Sequence, residues 1–137
     1  MNERININGI KVWATLKKRD YMKKWYCDDK AHRVNVFTIH MERGNERVRF
    51  TFYDNIINCS HGIVKLNADA LKDAVACILA DCISGNRTFE DFCSESCFDP
   101  QDYGAMKIYS ACINQLRKLT RIMSEQEIYE VYNNLNA

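Results

Sequence analysis

At 137 residues, 47% hydrophobic and 27% charged, the chain is long enough for one compact domain and too apolar for disorder. No apolar run approaches the ~20 residues of a membrane-spanning helix, and Met1-Asn2-Glu3-Arg4 lacks the apolar stretch of a secretion signal. The net charge of +1 argues against a domain built mainly to hold a polyanion, and seven cysteines, an odd number without a signal, point to reduced thiols in a cytosol.

In chain order, residues 10–16 alternate Ile10, Val12, Ala14 and Leu16 with Lys11, Trp13 and Thr15, which predicts a half-buried strand. Residues 17–32 are polar and basic around Tyr21, Met22, Trp25 and Tyr26, and read as a long loop with room for a helical turn. Residues 33–41 and 47–53 are rich in β-branched and aromatic side chains, and Gly44-Asn45 between them supplies a tight turn. Val48, Phe50 and Phe52 then share one face, and Arg47, Arg49, Thr51 and Tyr53 the other. Residues 54–65 read as a loop containing Cys59, His61 and Gly62.

Helical signals follow. Asn67 is an N-cap candidate with a Leu66–Leu71 staple, ahead of Val75, Ile78, Leu79 and Cys82 at helical spacing, and Gly85 is the expected stop. Thr88 caps a short helix with an acidic first turn, Glu90-Asp91. Asp99-Pro100 offers a cap followed by proline at the first helical position. The helix so begun, over about residues 100–123, has Ala105, Ile108, Cys112, Leu116, Leu119 and Met123 on one face. Ser124-Glu125-Gln126-Glu127 opens a last helix carrying Ile128, Val131, Tyr132 and Leu135. The expected fold class is α+β: an antiparallel sheet of about three strands packed against a helical C-terminal half. It forms a single domain that is β-rich over 1–65 and helical over 66–137. The long helix lies on the apolar face of the sheet, which buries Phe50 and Phe52 with Ile108, Cys112 or Leu116.

Among side chains that carry chemistry, Cys59, His61, Cys93 and Cys97 are the best four-residue set for zinc. Cys77, Cys82 and Cys112 fall on or near apolar helix faces, where cysteine acts as a small hydrophobe. The C-x₃-C spacing lacks the two-pair pattern of a strong site, so no metal and no cofactor is expected. His32, His40 and His61 stand in no catalytic signature, and the carboxylates Glu90, Asp91, Glu95, Asp99 and Asp102 cluster where helix starts attract acids. Glycines are isolated, so no phosphate-binding loop is written.

Charge is unevenly spread. Residues 11–33 hold eight Lys/Arg against three Asp, and residues 66–103 hold eight Asp/Glu against Lys72 and Arg87. Residues 104–123 carry Lys107, Arg117, Lys118 and Arg121 and no acid. The candidate partner-binding residues are therefore Lys17, Lys18, Arg19, Lys23, Lys24, Lys107, Arg117, Lys118 and Arg121. Intramolecular pairing with the acidic segment is the bland alternative for the helical four, and a solvated basic loop for the others.

The stretch Thr88-Phe-Glu-Asp-Phe-Cys-Ser-Glu95, then Asp99 and Lys107-Ile-Tyr-Ser-Ala-Cys-Ile-Asn-Gln115 with Leu119, resembles a group of small phage and prophage proteins. The resemblance covers about residues 67–123. It departs at Ser96-Cys97-Phe98-Asp99, where a glycine turn is usual, and at Tyr103-Gly104-Ala105. It implies an accessory protein of a mobile element acting in the bacterial cytoplasm. The leading expectation is a non-enzymatic protein that binds a host protein or complex and inhibits or modulates it, as an anti-defence, anti-CRISPR-like protein does. The alternatives are a nucleic-acid-binding accessory protein and a small metal-dependent enzyme.

Overall fold

A computed structural model describes residues 4–22, 32–54, 59–60, 63–64 and 67–136. The chain is α+β, with a four-stranded antiparallel sheet in the N-terminal half and four helices in the C-terminal half. It divides into two compact units, Met1–Lys72 and Asp73–Ala137.

The sheet runs in chain order: β1 (Arg4–Ile7), β2 (Ile10–Met22), β3 (His32–Arg43) and β4 (Glu46–Asp54). Two tight turns set its register. Asn8 (φ 56°) and Gly9 (φ 84°) both take the left-handed conformation between Ile7 and Ile10, and this twist suits a two-residue hairpin. Gly44 (φ 59°) closes the expected turn between Arg43 and Glu46. Arg43 Nη2 also donates to the Asn8 carbonyl, 2.6 Å away, and ties the two turns together.

Because side chains alternate, that register fixes two faces. Val12, Met41 and Val48 form one row of the apolar face; Ala14, Ile39 and Phe50 form the next. These six side chains are at most 3% exposed. Phe52 is half-buried and stacks on Phe37 with centroids 5.3 Å apart.

Three sequence readings are corrected here. The sheet has a fourth strand, β1, ahead of the first one expected. Residues 17–22, read as loop, continue β2; a register shift between Leu16 and Lys18 breaks the alternation, and β3 supplies the pairing as far as Met22↔His32. Residues 54–65 are not all loop, since β5 (Cys59–Ser60) pairs with β6 (Ile63–Val64).

The helices are α1 (Ala68–Gly85), α2 (Phe89–Ser96), α3 (Tyr103–Leu119) and α4 (Glu125–Leu135). Asn67 caps α1 by accepting from the Ala70 amide at 2.8 Å, Thr88 caps α2 from Asp91, and Ser124 caps α4 from Glu127. Leu66 of the expected staple lies outside the described residues. The third cap differs from expectation. Asp99 and Pro100 form a turn in which the Asp102 amide donates to the Asp99 carbonyl, and Asp102 itself caps α3 through the Gly104 amide at 2.9 Å. The long helix therefore begins three residues beyond Pro100 and ends at Leu119.

Within the helical unit Phe92, Cys93, Ala105 and Cys112 form a buried cluster walled by Phe89, Phe98 and Tyr109. Phe92 and Tyr109 rings lie 5.3 Å apart, and the Tyr109 hydroxyl donates to the Arg87 carbonyl. Ile108 does not join the core; it is 46% exposed. The inward stripe of α3 is Ala105, Tyr109, Cys112, Leu116 and Leu119, and Ile108 falls off its edge. Among the described residues no helix is long and apolar enough to cross a membrane.

Candidate functional site

The cations singled out in the sequence fall in both units. Lys17, Lys18 and Arg19 lie in β2 at the register shift, with Lys18 opposite Val36 and Arg19 opposite Asn35. Lys23 and Lys24 lie outside the described residues. Lys107, Arg117 and Lys118 stand on α3, and Arg121 follows it in the turn before α4; all four are exposed.

The helix period explains the exposure of the α3 cations. Ala105, Cys112 and Leu119 are seven residues apart and face inward, so Tyr103, Lys107, Ser110, Asn114 and Arg117 face out. Tyr103 is 74% and Met106 43% exposed, large values for such side chains. Lys107 Nζ lies 5.5 Å from the centre of the Tyr103 ring, a cation–π distance. Within the acidic segment before α3, Arg87 pairs with Glu95.

A second constellation lies on the polar face of the sheet. Arg4, Trp13, His40 and Arg49 form one row across all four strands, and Asn6, Lys11, Glu42 and Arg47 form the next. Trp13 and His40 stack with planes 7° apart and centroids at 5.1 Å. The Arg4 guanidinium sits 4.7 Å above the Trp13 ring, and that of Arg47 sits 5.2 Å from it. Arg47 also donates two hydrogen bonds to Glu42 Oε2, at 2.7 and 2.9 Å, which holds the Glu42 carboxyl below its ordinary pKa. His40 Nε2 is bonded to Thr15 Oγ1 at 2.8 Å. Burial, followed by the charges of Arg47, Arg49 and Arg4, lowers the His40 pKa, so the ring is neutral at pH 7. The sequence sets Arg47 and Arg49 on the face opposite the phenylalanines, and there the aromatic ring that Arg47 meets is Trp13. Strand parity does place Trp13 beside Lys11 and Thr15, but only pairing reveals that Arg4 and His40 flank it.

Among the described cysteines, Cys82, Cys93 and Cys112 are buried packing residues. Burial pushes the Cys82 thiol up to about 12 and also raises Cys93 and Cys112, so all three are protonated at neutral pH and weak nucleophiles. Cys93 points into the aromatic cluster, whereas Cys97, at the α2 C-cap with φ 60°, is exposed. No three metal-ligand side chains converge among the described residues. His61 lies outside them, so the four-residue zinc set falls partly beyond view. Cys77 is exposed. A thiol reagent added to native protein should therefore label Cys77 and Cys97 quickly. Cys82, Cys93 and Cys112 should label only on unfolding, as peptide mapping would show. Rapid native labelling of Cys93 would contradict its packing.

Compared with family models, curated proteins and solved structures, the chain matches none.

Proposed function

We propose that the chain is a non-enzymatic binding protein whose outward α3 face holds another protein. The observation that carries this reading is the exposed pairing of Tyr103 and Met106 with Lys107 and Arg117 on one helix. Tyrosine, methionine and arginine are the residues enriched at protein interfaces. A tyrosine anchor flanked by cations suits an acidic partner surface with an apolar pocket, and no acid between residues 104 and 123 opposes it. The resemblance of residues 67–123 to phage and prophage proteins supports a partner in the bacterial host, a protein or complex whose activity is blocked or modulated on binding.

The test is capture from a nuclease-treated bacterial lysate by the immobilised protein, with Tyr103→Ala and Arg117→Glu alongside. Both positions are outside the core, so circular dichroism should be unchanged. A loss of about 2 kcal/mol at an anchor weakens the captured complex roughly thirtyfold. A partner held equally by both variants would place the interface elsewhere, and capture abolished by nuclease alone would remove the protein-partner reading.

A further inference from the structure

The polar face of the β-sheet carries a constellation independent of α3. We infer that this face binds single-stranded nucleic acid, with Arg4, Lys11 and Arg49 taking phosphates along a strand laid across β1 to β4.

Three observations carry the inference. The first is local charge. Arg4, Lys11, Arg47 and Arg49 stand in the two rows beside Trp13, and Glu42 is the only carboxylate in those rows, already held by Arg47. The whole-chain charge of +1 hides this excess, because the acids are concentrated in residues 66–103. The second is spacing. Arg4 is on β1 and Arg49 on β4, the two outer strands, so the row spans three interstrand steps, about 14 Å. One phosphate cannot bridge that distance; successive phosphates of a strand can. The third is preorganisation. The guanidinium groups of Arg4 and Arg47 lie over the Trp13 ring, which itself stacks on His40. These positively charged planes, held on an aromatic base, offer bases a stacking surface in the way arginine planes and aromatic rings do in single-strand binders. Thr15, Thr38 and Thr51 form the neighbouring row; the Thr15 hydroxyl is bonded to His40, and Thr38 and Thr51 add hydroxyl donors. A broad sheet face of this kind does not enter a duplex groove, which admits a helix or a two-stranded ribbon.

The experiment is fluorescence anisotropy of a labelled oligodeoxythymidine with the full chain over a range of salt. About three neutralised phosphates should give a slope of log affinity against log salt of about −2. Arg4→Glu with Arg49→Glu should weaken binding at least about tenfold and flatten that slope, whereas Lys72→Glu, at an exposed position of α1, should leave both nearly unchanged. Should the glutamate pair disturb folding, Arg4→Gln with Arg49→Gln serves instead. A measurement on the native protein stands beside them: the His40 imidazole is titrated by NMR with and without the oligonucleotide. Bound phosphates offset the arginine charges that help keep His40 neutral, so its pKa should rise. No salt-dependent binding, binding untouched by the Arg4 and Arg49 changes, or an unmoved His40 titration would each overturn the inference. An effect of inorganic phosphate alone, without binding of the strand, would do the same.

Discussion

Phe50→Ala is expected to destabilise the protein by about 3–5 kcal/mol, measured by urea unfolding. The ring is 1% exposed and stands opposite Ile39 in the centre of the apolar face, one place from Val48 and Met41 in the neighbouring row. Removing it subtracts the transfer free energy of an aromatic side chain and leaves a void that neighbouring strands, fixed by their hydrogen bonds, only partly fill. The neighbouring positions supply the control. Phe52→Ala should be milder, because that ring is already half-exposed and rests mainly on Phe37. Arg49→Ala, one residue away on the opposite face, should fall near the ~0.5 kcal/mol typical of surface substitutions. Similar losses at positions 49 and 50 would mean that the two faces are misassigned.

Gly85→Ala should also destabilise, by about 1–3 kcal/mol in thermal or urea unfolding. A methyl group there would sit 2.6 Å from the Cys112 carbonyl oxygen, 2.7 Å from its carbon and 2.9 Å from the Ile113 nitrogen. All three atoms are backbone of α3, so no rotamer change relieves the contact. At an open helical position the same change would stabilise by up to about 1 kcal/mol through helix propensity. The sign of the measured effect therefore separates close helix approach from conformational preference. Gly85→Val should be worse than alanine, and a stabilised alanine variant would show that α1 and α3 do not meet so closely. The helix does stop at Gly85, as the sequence suggests, and it does so without a positive φ.

Local chemistry explains what could be read in advance. The Gly44-Asn45 turn, the Asn67, Thr88 and Ser124 caps, and the alternation of Val48, Phe50 and Phe52 each depend on neighbours close in sequence. The misreadings arise where distant pairing or competition between similar residues decides. Lys17-Lys18-Arg19 looks like loop because strand propensity is low and the register shift spoils the alternation, yet β3 satisfies that backbone as far as Met22. Asp99 and Asp102 are equally good caps by type; the turn through Pro100 leaves the role to Asp102. Ile108 lies close enough to the apolar stripe to be counted in it, but Tyr109 takes the inward place and bonds to the Arg87 carbonyl. The Asn8-Gly9 turn is equally local, since Asn-Gly is the strongest short hairpin signal. The Trp13 constellation was not legible, because its members come from four strands and no spacing in the sequence announces their register.

The mismatch in strand lengths has a consequence for self-association. Among the described residues β1 covers β2 only from Ile10 to Trp13, while β2 runs on to Met22. Among the described residues β1 gives that side of β2 no ladder partner beyond Trp13, although β6 lies against the strand; any ladder position left open is a template on which a second chain could add a strand. The residues of β2 beyond Trp13 include Lys17, Lys18, Arg19 and Asp20. In a parallel, in-register pairing with a second copy each of these charged residues would stand beside its like. A run of lysine and arginine in a strand works against edge-to-edge addition, a duty that requires only that these residues stay charged.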